Sequence, residues 1–115
     1  MTATQTAGET VPTAQGFEVG SEMAWTMLDS SGQVEFDVTQ AIQDREPLGE
    51  LRDLYVSQVV ISAPDRASDY MEPLEHYDLD MGGESALDDF KAGAERGARS
   101  VITVKRLREI ARNAN

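Results

Sequence analysis

Charge is sorted along this 115-residue chain. Residues 1–90 carry 19 acids against only Arg45, Arg52 and Arg66, a net of −16. Residues 91–115 carry seven bases against Glu95 and Glu109, a net of +5, which leaves −11 for the whole chain. An acidic body with a basic carboxy-terminal end meets its partners through charge, one sign at each end. What remains for a core is modest. The apolar fraction is 40%, much of it alanine, and only seven residues are aromatic. One small domain fits that length.

Several function classes are excluded by composition. The chain has no cysteine, so disulfides, zinc–thiolate sites, iron–sulfur clusters and cysteine nucleophiles are ruled out. No apolar run approaches the ~18 residues that span a bilayer. The first ten residues have neither a basic region nor an apolar stretch, so they do not read as a signal peptide. The expected setting is cytoplasmic, or within a virus particle. The bases are eight Arg and two Lys. Excess carboxylate with little lysine fits a halophilic protein, because molar salt shortens the Debye length to about 3 Å. High genomic GC content would also favour arginine. The acidic body disfavours nonspecific nucleic-acid binding.

The local patterns predict an α+β fold. Residues 1–20 lack any period and read as an extended tail, flexible or ordered by a partner, with Phe17 and Val19 as its first anchors. The domain proper is residues 21–115. Residues 22–28 and 34–38 flank Asp29-Ser30-Ser31-Gly32, a hairpin signal, although the first run also fits a short helix. Val34, Phe36 and Val38 alternate with Glu35 and Asp37. Thr39 caps a short helix through Gln43, stopped by Pro47 and Gly49. The β-branched run 54–61 reads as the central strand, ended by Pro64. These segments make a small antiparallel sheet of about three strands, with Trp25 and Tyr55 as large core residues.

Residues 65–83 read as an irregular acidic loop. Ser85 and Asp88 then form a capping box. Leu87, Phe90 and Ala94 line the buried face of that helix, and Gly97 stops it. A last helix from about Ser100 to Asn113 buries Val101, Val104, Leu107, Ile110 and Ala111. A strand at 100–104 leading into that helix is the alternative.

No motif carries a reaction. Asp78-x-Asp80-x-Gly82-Gly83 resembles a calcium loop, with Gly83 at position 6 and Asp89 at position 12. Position 5 is Gly82, however, and position 12 reaches less far than glutamate. The stretch reads as a solvated acidic loop, and no metal or cofactor is expected. His76, the single histidine, has Asp78 and Asp80 nearby, but no nucleophile or pocket signature accompanies it. A hydrolytic role for His76 is the weakest of the readings.

Lys105, Arg108 and Arg112 recur at i, i+3 and i+7, with Arg106 beside them. Bases near a helix C-terminus favour the macrodipole by about 0.3–1 kcal/mol each, and four exceed that need. The expected function is therefore non-enzymatic. It is a subunit of a larger assembly, such as a virus particle, docking on protein subunits, including its own copies, through Lys105, Arg106, Arg108 and Arg112 and through Phe17 and Val19. The alternative is a small regulator that binds nucleic acid through a degenerate helix-turn-helix over 86–113, with Gly97 at the turn. Arg96 and Arg106 stand where that motif wants core side chains.

Overall fold

Val34, Phe36 and Val38 alternate, but Val34, Val38 and Ala41 also stand at helical spacing, and the helix prevails. The computed structural model describes residues 11–30, 32–70 and 82–114. Among them are five α-helices, one 3-10 turn and no strand. The expected α+β fold with its three-stranded sheet is thus overturned. Residues 22–28 lie in α1 (Val11–Ser30), 34–38 in α2 (Gly32–Gln43) and 54–61 in α3 (Leu48–Arg66). The 3-10 turn Ala67–Asp69 extends α3, and α4 (Gly83–Val101) and α5 (Val104–Ala114) follow.

The physical reason is which residues find cover. In α3 the buried positions are Leu48, Tyr55, Val56, Val59 and Ala63, one face of a helix. The β-branched residues of that run lose some rotamer freedom in a helix. Burial of that face outweighs the preference. Two residues apart on a helix is about 200° around the axis. Val38 is therefore buried while Phe36 is 63% exposed. Pro64 lies inside the last turn of α3 rather than ending the element. Trp25 is 43% exposed, whereas Tyr55 belongs to the core as expected.

The expected extended tail is also corrected in the part described. Residues 11–20 are the first half of α1, with Pro12 in its opening turn, where the missing N–H is tolerated. Thr13, Val19 and Ala24 are buried. Residues 1–10 lie outside the described residues.

The contact of α1 with α4 organises the fold. Gly16 and Gly20 on α1 meet Phe90 and Ala94 on α4. Gly93 and Gly97 on α4 meet Thr13, Phe17 and Ser21 on α1. One turn forward on α4 moves the contact one turn forward on α1, so the two helices run parallel. A Cβ at Gly16 would stand 2.8 Å from the Phe90 carbonyl carbon, and one at Gly93 2.8 Å from that of Thr13. Backbone touches backbone, and the glycine Cα–H bonds face carbonyl groups, a weak but recurring attraction at close helix crossings. Gly97 is therefore a packing position within α4, not its stop. Ser21 reinforces the seam locally, its hydroxyl donating to the Phe17 carbonyl oxygen at 2.7 Å.

The core lies in two groups. One joins Val19 of α1, Ala63 and Ala67 of α3 and its extension, and Phe90 and Ala94 of α4. The larger joins all five helices, with Val38, Tyr55, Val59, Ile102 and Leu107 near its centre. The stripes expected on the last two helices are largely present. Phe90, Ala94, Val101, Leu107 and Ala111 are buried, and Leu87, Val104 and Ile110 partly so. Gly82, not Ser85, precedes the first residue of α4, and Gly83 takes a left-handed φ of 75°.

Short connections fix the remaining angles. The α2–α3 corner closes by a Schellman motif: the Glu46 N–H donates to the Ala41 carbonyl at 2.8 Å and Arg45 N–H to Ile42 at 3.2 Å. Arg45 holds φ 60° there, a conformation usually left to glycine. The α4–α5 corner is Ile102-Thr103. Ile102 is buried, and Thr103 caps α5 by accepting the Arg106 N–H on Oγ1 at 3.1 Å.

Candidate docking surface

Leu107 and Ala111 fix α5 to the body, and that placement sets which of its bases face water. Lys105, Arg108 and Arg112 are exposed on the opposite side of the helix. None of the three has an ion-pair partner among the described residues. Ile42 of α2, 46% exposed, adjoins Arg108 and Arg112. Glu109 is also exposed on α5 and trims the positive charge of this surface.

Arg106 is built into the fold instead. Its guanidinium donates to the carbonyl oxygens of Val101 at 2.8 Å and Ser100 at 3.3 Å, closing the end of α4. The same group lies 4.4 Å from the centroid of the Trp25 ring, a cation–π distance. One side chain thus joins α1, α4 and α5. Of the four bases the sequence pointed to, three are on a common free face and one is structural.

Phe17 and Val19 are not brought to that face. Val19 is 1% exposed in the α1–α4 core, and Phe17 is half-buried, with the Arg96 guanidinium 5.7 Å from its ring. Arg99 of α4 is likewise engaged, pairing with Glu95 at 3.0 Å and with Asp53 of α3 at 3.1 Å, while Lys91 of the same helix is exposed with no ion-pair partner among the described residues. Arg99, and then Arg52, hold the Asp53 carboxyl below its ordinary value.

A second surface joins segments with no shared pattern in the sequence. A groove runs between α2 and α3, with Phe36, Leu51 and Leu54 as its apolar floor and sides. Phe36 and Leu54 are 63% and 53% exposed. Asp37, Glu46 and Glu50 edge the groove. Asp37 accepts the Tyr55 hydroxyl at 2.9 Å and the Gln33 amide at 2.7 Å. Burial, and then the Asp37 carboxylate, push the Tyr55 hydroxyl well above its ordinary value. Glu46 and Glu50 have no ion-pair partner among the described residues. The signal available in the sequence was Phe36 itself, which a helical period separates from Val34 and Val38.

His76, Asp78 and Asp80 lie outside the described residues. Among those described, no group of three or more His, Asp or Glu side chains is arranged to hold a metal ion, and no helix is long and apolar enough to cross a membrane. The outline of a helix-turn-helix changes as well, because the break falls at Ile102-Thr103, five residues beyond Gly97.

No family model, no curated protein and no solved structure matches this chain.

Proposed function

We propose that this protein is a small, non-enzymatic interaction subunit that docks on an acidic protein surface through the free face of α5. The single observation that carries this reading is the division of labour among the bases. Arg106, Arg99 and Arg96 are spent on internal contacts, while Lys105, Arg108 and Arg112 stand together, without ion-pair partners among the described residues, on a helix whose other side is locked into the core. An exposed cationic cluster on a rigid element steers association and fixes register. At physiological ionic strength the Debye length is about 8 Å. An approaching partner therefore senses this cluster more than the distant acidic charge.

The test is a binding titration by fluorescence polarisation at physiological salt, with a labelled polyglutamate peptide as probe and a labelled DNA duplex as competitor. The wild-type chain should bind polyglutamate. Replacing Lys105, Arg108 and Arg112 with Gln should weaken that binding about tenfold or more with an unchanged melting curve. Equal binding by the variant would remove α5 as the docking element. Tight duplex binding that falls log-linearly with salt would instead favour the nucleic-acid regulator.

A further inference from the structure

We propose that the α2–α3 groove is the acceptor for α5 of a second copy of the same chain, so that copies join head to tail. This rests on the docking reading above and names its partner.

The two surfaces complement each other in kind. The groove presents three carboxylates, Asp37, Glu46 and Glu50, around Phe36 and Leu54. The α5 face presents three cations, Lys105, Arg108 and Arg112, beside the exposed apolar side chain of Ile42. The alkyl stems of Lys and Arg cover apolar surface while their heads reach carboxylates. A guanidinium set against the exposed Phe36 ring adds a cation–π contact.

Geometry rules out the contact within one chain. Leu107 and Ala111 hold α5 against the core, leaving its cations on the outer side, and no residue of α5 lines the groove. Charge rules out two-fold pairing at either surface. Groove against groove would set Asp37, Glu46 and Glu50 opposite their own copies, and α5 against α5 would do the same with three cations. Only the crossed arrangement brings opposite signs together. Made once per pair, this contact leaves one free groove and one free α5 face and extends into a chain or ring; made reciprocally about a two-fold axis, it closes as a dimer.

Two full-length variants test this by sedimentation equilibrium at low salt. A donor-null variant carries Lys105→Gln, Arg108→Gln and Arg112→Gln. An acceptor-null variant carries Glu46→Gln, Glu50→Gln and Leu54→Ser. All of these positions are exposed, and melting curves check that both variants fold. The wild type should exceed its monomer mass of 12.6 kDa in a concentration-dependent manner. Each variant alone should sediment as monomer. Mixed in equal amounts, they should form a dimer of one of each and grow no further, because one intact groove meets one intact α5. A wild type that stays monomeric at every concentration overturns the proposal. So does a wild-type oligomer that the acceptor-null variant retains. If such a monomer still binds polyglutamate through α5, only the self-acceptor fails. If that binding is absent too, the docking reading fails with it.

Discussion

A methyl group at Gly20 measures how close α1 and α4 come. A Cβ there would stand 2.7 Å from the Ala94 Cα and 2.9 Å from its carbonyl carbon. Relaxed carbon–carbon contact is about 3.5–4.0 Å, so Gly20→Ala must part the helices by about 1 Å. The obstructing atoms are backbone and cannot rotate aside. Overpacking of this kind costs about 1–3 kcal/mol, and backbone obstruction places the cost in the upper part of that range. Alanine's better helix propensity offsets about 1 kcal/mol. The expected net loss is about 1–2 kcal/mol, or a melting temperature lower by about 4–8 °C for a chain of this size. Circular dichroism at 222 nm against temperature and urea reads it. Gly49→Ala is the control, since nothing lies within 4 Å of a Cβ on that α3 glycine, and it should leave stability unchanged or slightly raised. Gly20→Ala melting at or above the wild-type temperature would refute the backbone contact and the reasoning built on it. Combining Gly16→Ala with Gly20→Ala should cost less than the sum of the two, because one separation accommodates both methyl groups.

Other substitutions probe separate features. Arg45→Gly should stabilise by about 0.5–1 kcal/mol in urea unfolding, relief of the left-handed strain exceeding glycine's added unfolded-state entropy; a loss of stability would show that Arg45 does more than turn the chain. Tyr55→Phe should cost about 1 kcal/mol near neutral pH by deleting the hydrogen bond to Asp37. The Tyr55 hydroxyl titrates higher in the folded than in the unfolded state, where it ionises near pH 10. Its contribution is complete below pH 10 and is lost as pH rises beyond it. Wild-type stability should therefore fall more steeply than that of Tyr55→Phe above pH 10, and parallel curves would contradict the assignment. Arg106→Met should cost about 1–2 kcal/mol and shift the fluorescence of Trp25, whereas Arg108→Met should alter neither; identical behaviour of the two would refute their separate roles.

The last two helices were legible in the sequence because Phe90, Ala94, Val104, Leu107 and Ala111 recur only at helical spacing. The segments read as strands were not. Val34 and Val38 satisfy both periods over five residues, and the β-branched run 54–61 is decided by what covers Tyr55, Val56 and Val59. The pairing of α1 with α4 has a signal in the sequence: the same four-residue glycine spacing occurs at Gly16–Gly20 and at Gly93–Gly97. Polar composition hid the first pair inside an apparent tail, and a helix-stop reading hid the second. The cationic face of α5 was legible as a stripe. Separating Arg106 from it required knowing that α4 ends at Val101, because only there do free carbonyl groups await a donor. The α2–α3 groove joins two segments that had both been assigned to a sheet, so its lining could not be assembled from them.

The parallel alignment of α1 and α4 also sets an order of events during synthesis. Residue 20 meets residue 94, and two further helices are made in between. Helices whose contacts are distant in sequence consolidate late. At ribosomal rates of about 5–20 residues per second, α1 waits several seconds for the helix that covers its glycine face. Through that interval the face is bare backbone flanked by Val19 and Met23, a surface that a chaperone or a protease meets before α4 does. Translation, not the strength of the seam, sets the length of that interval, so a variant with a weakened seam is exposed for as long as the wild type and differs only once α4 has been made.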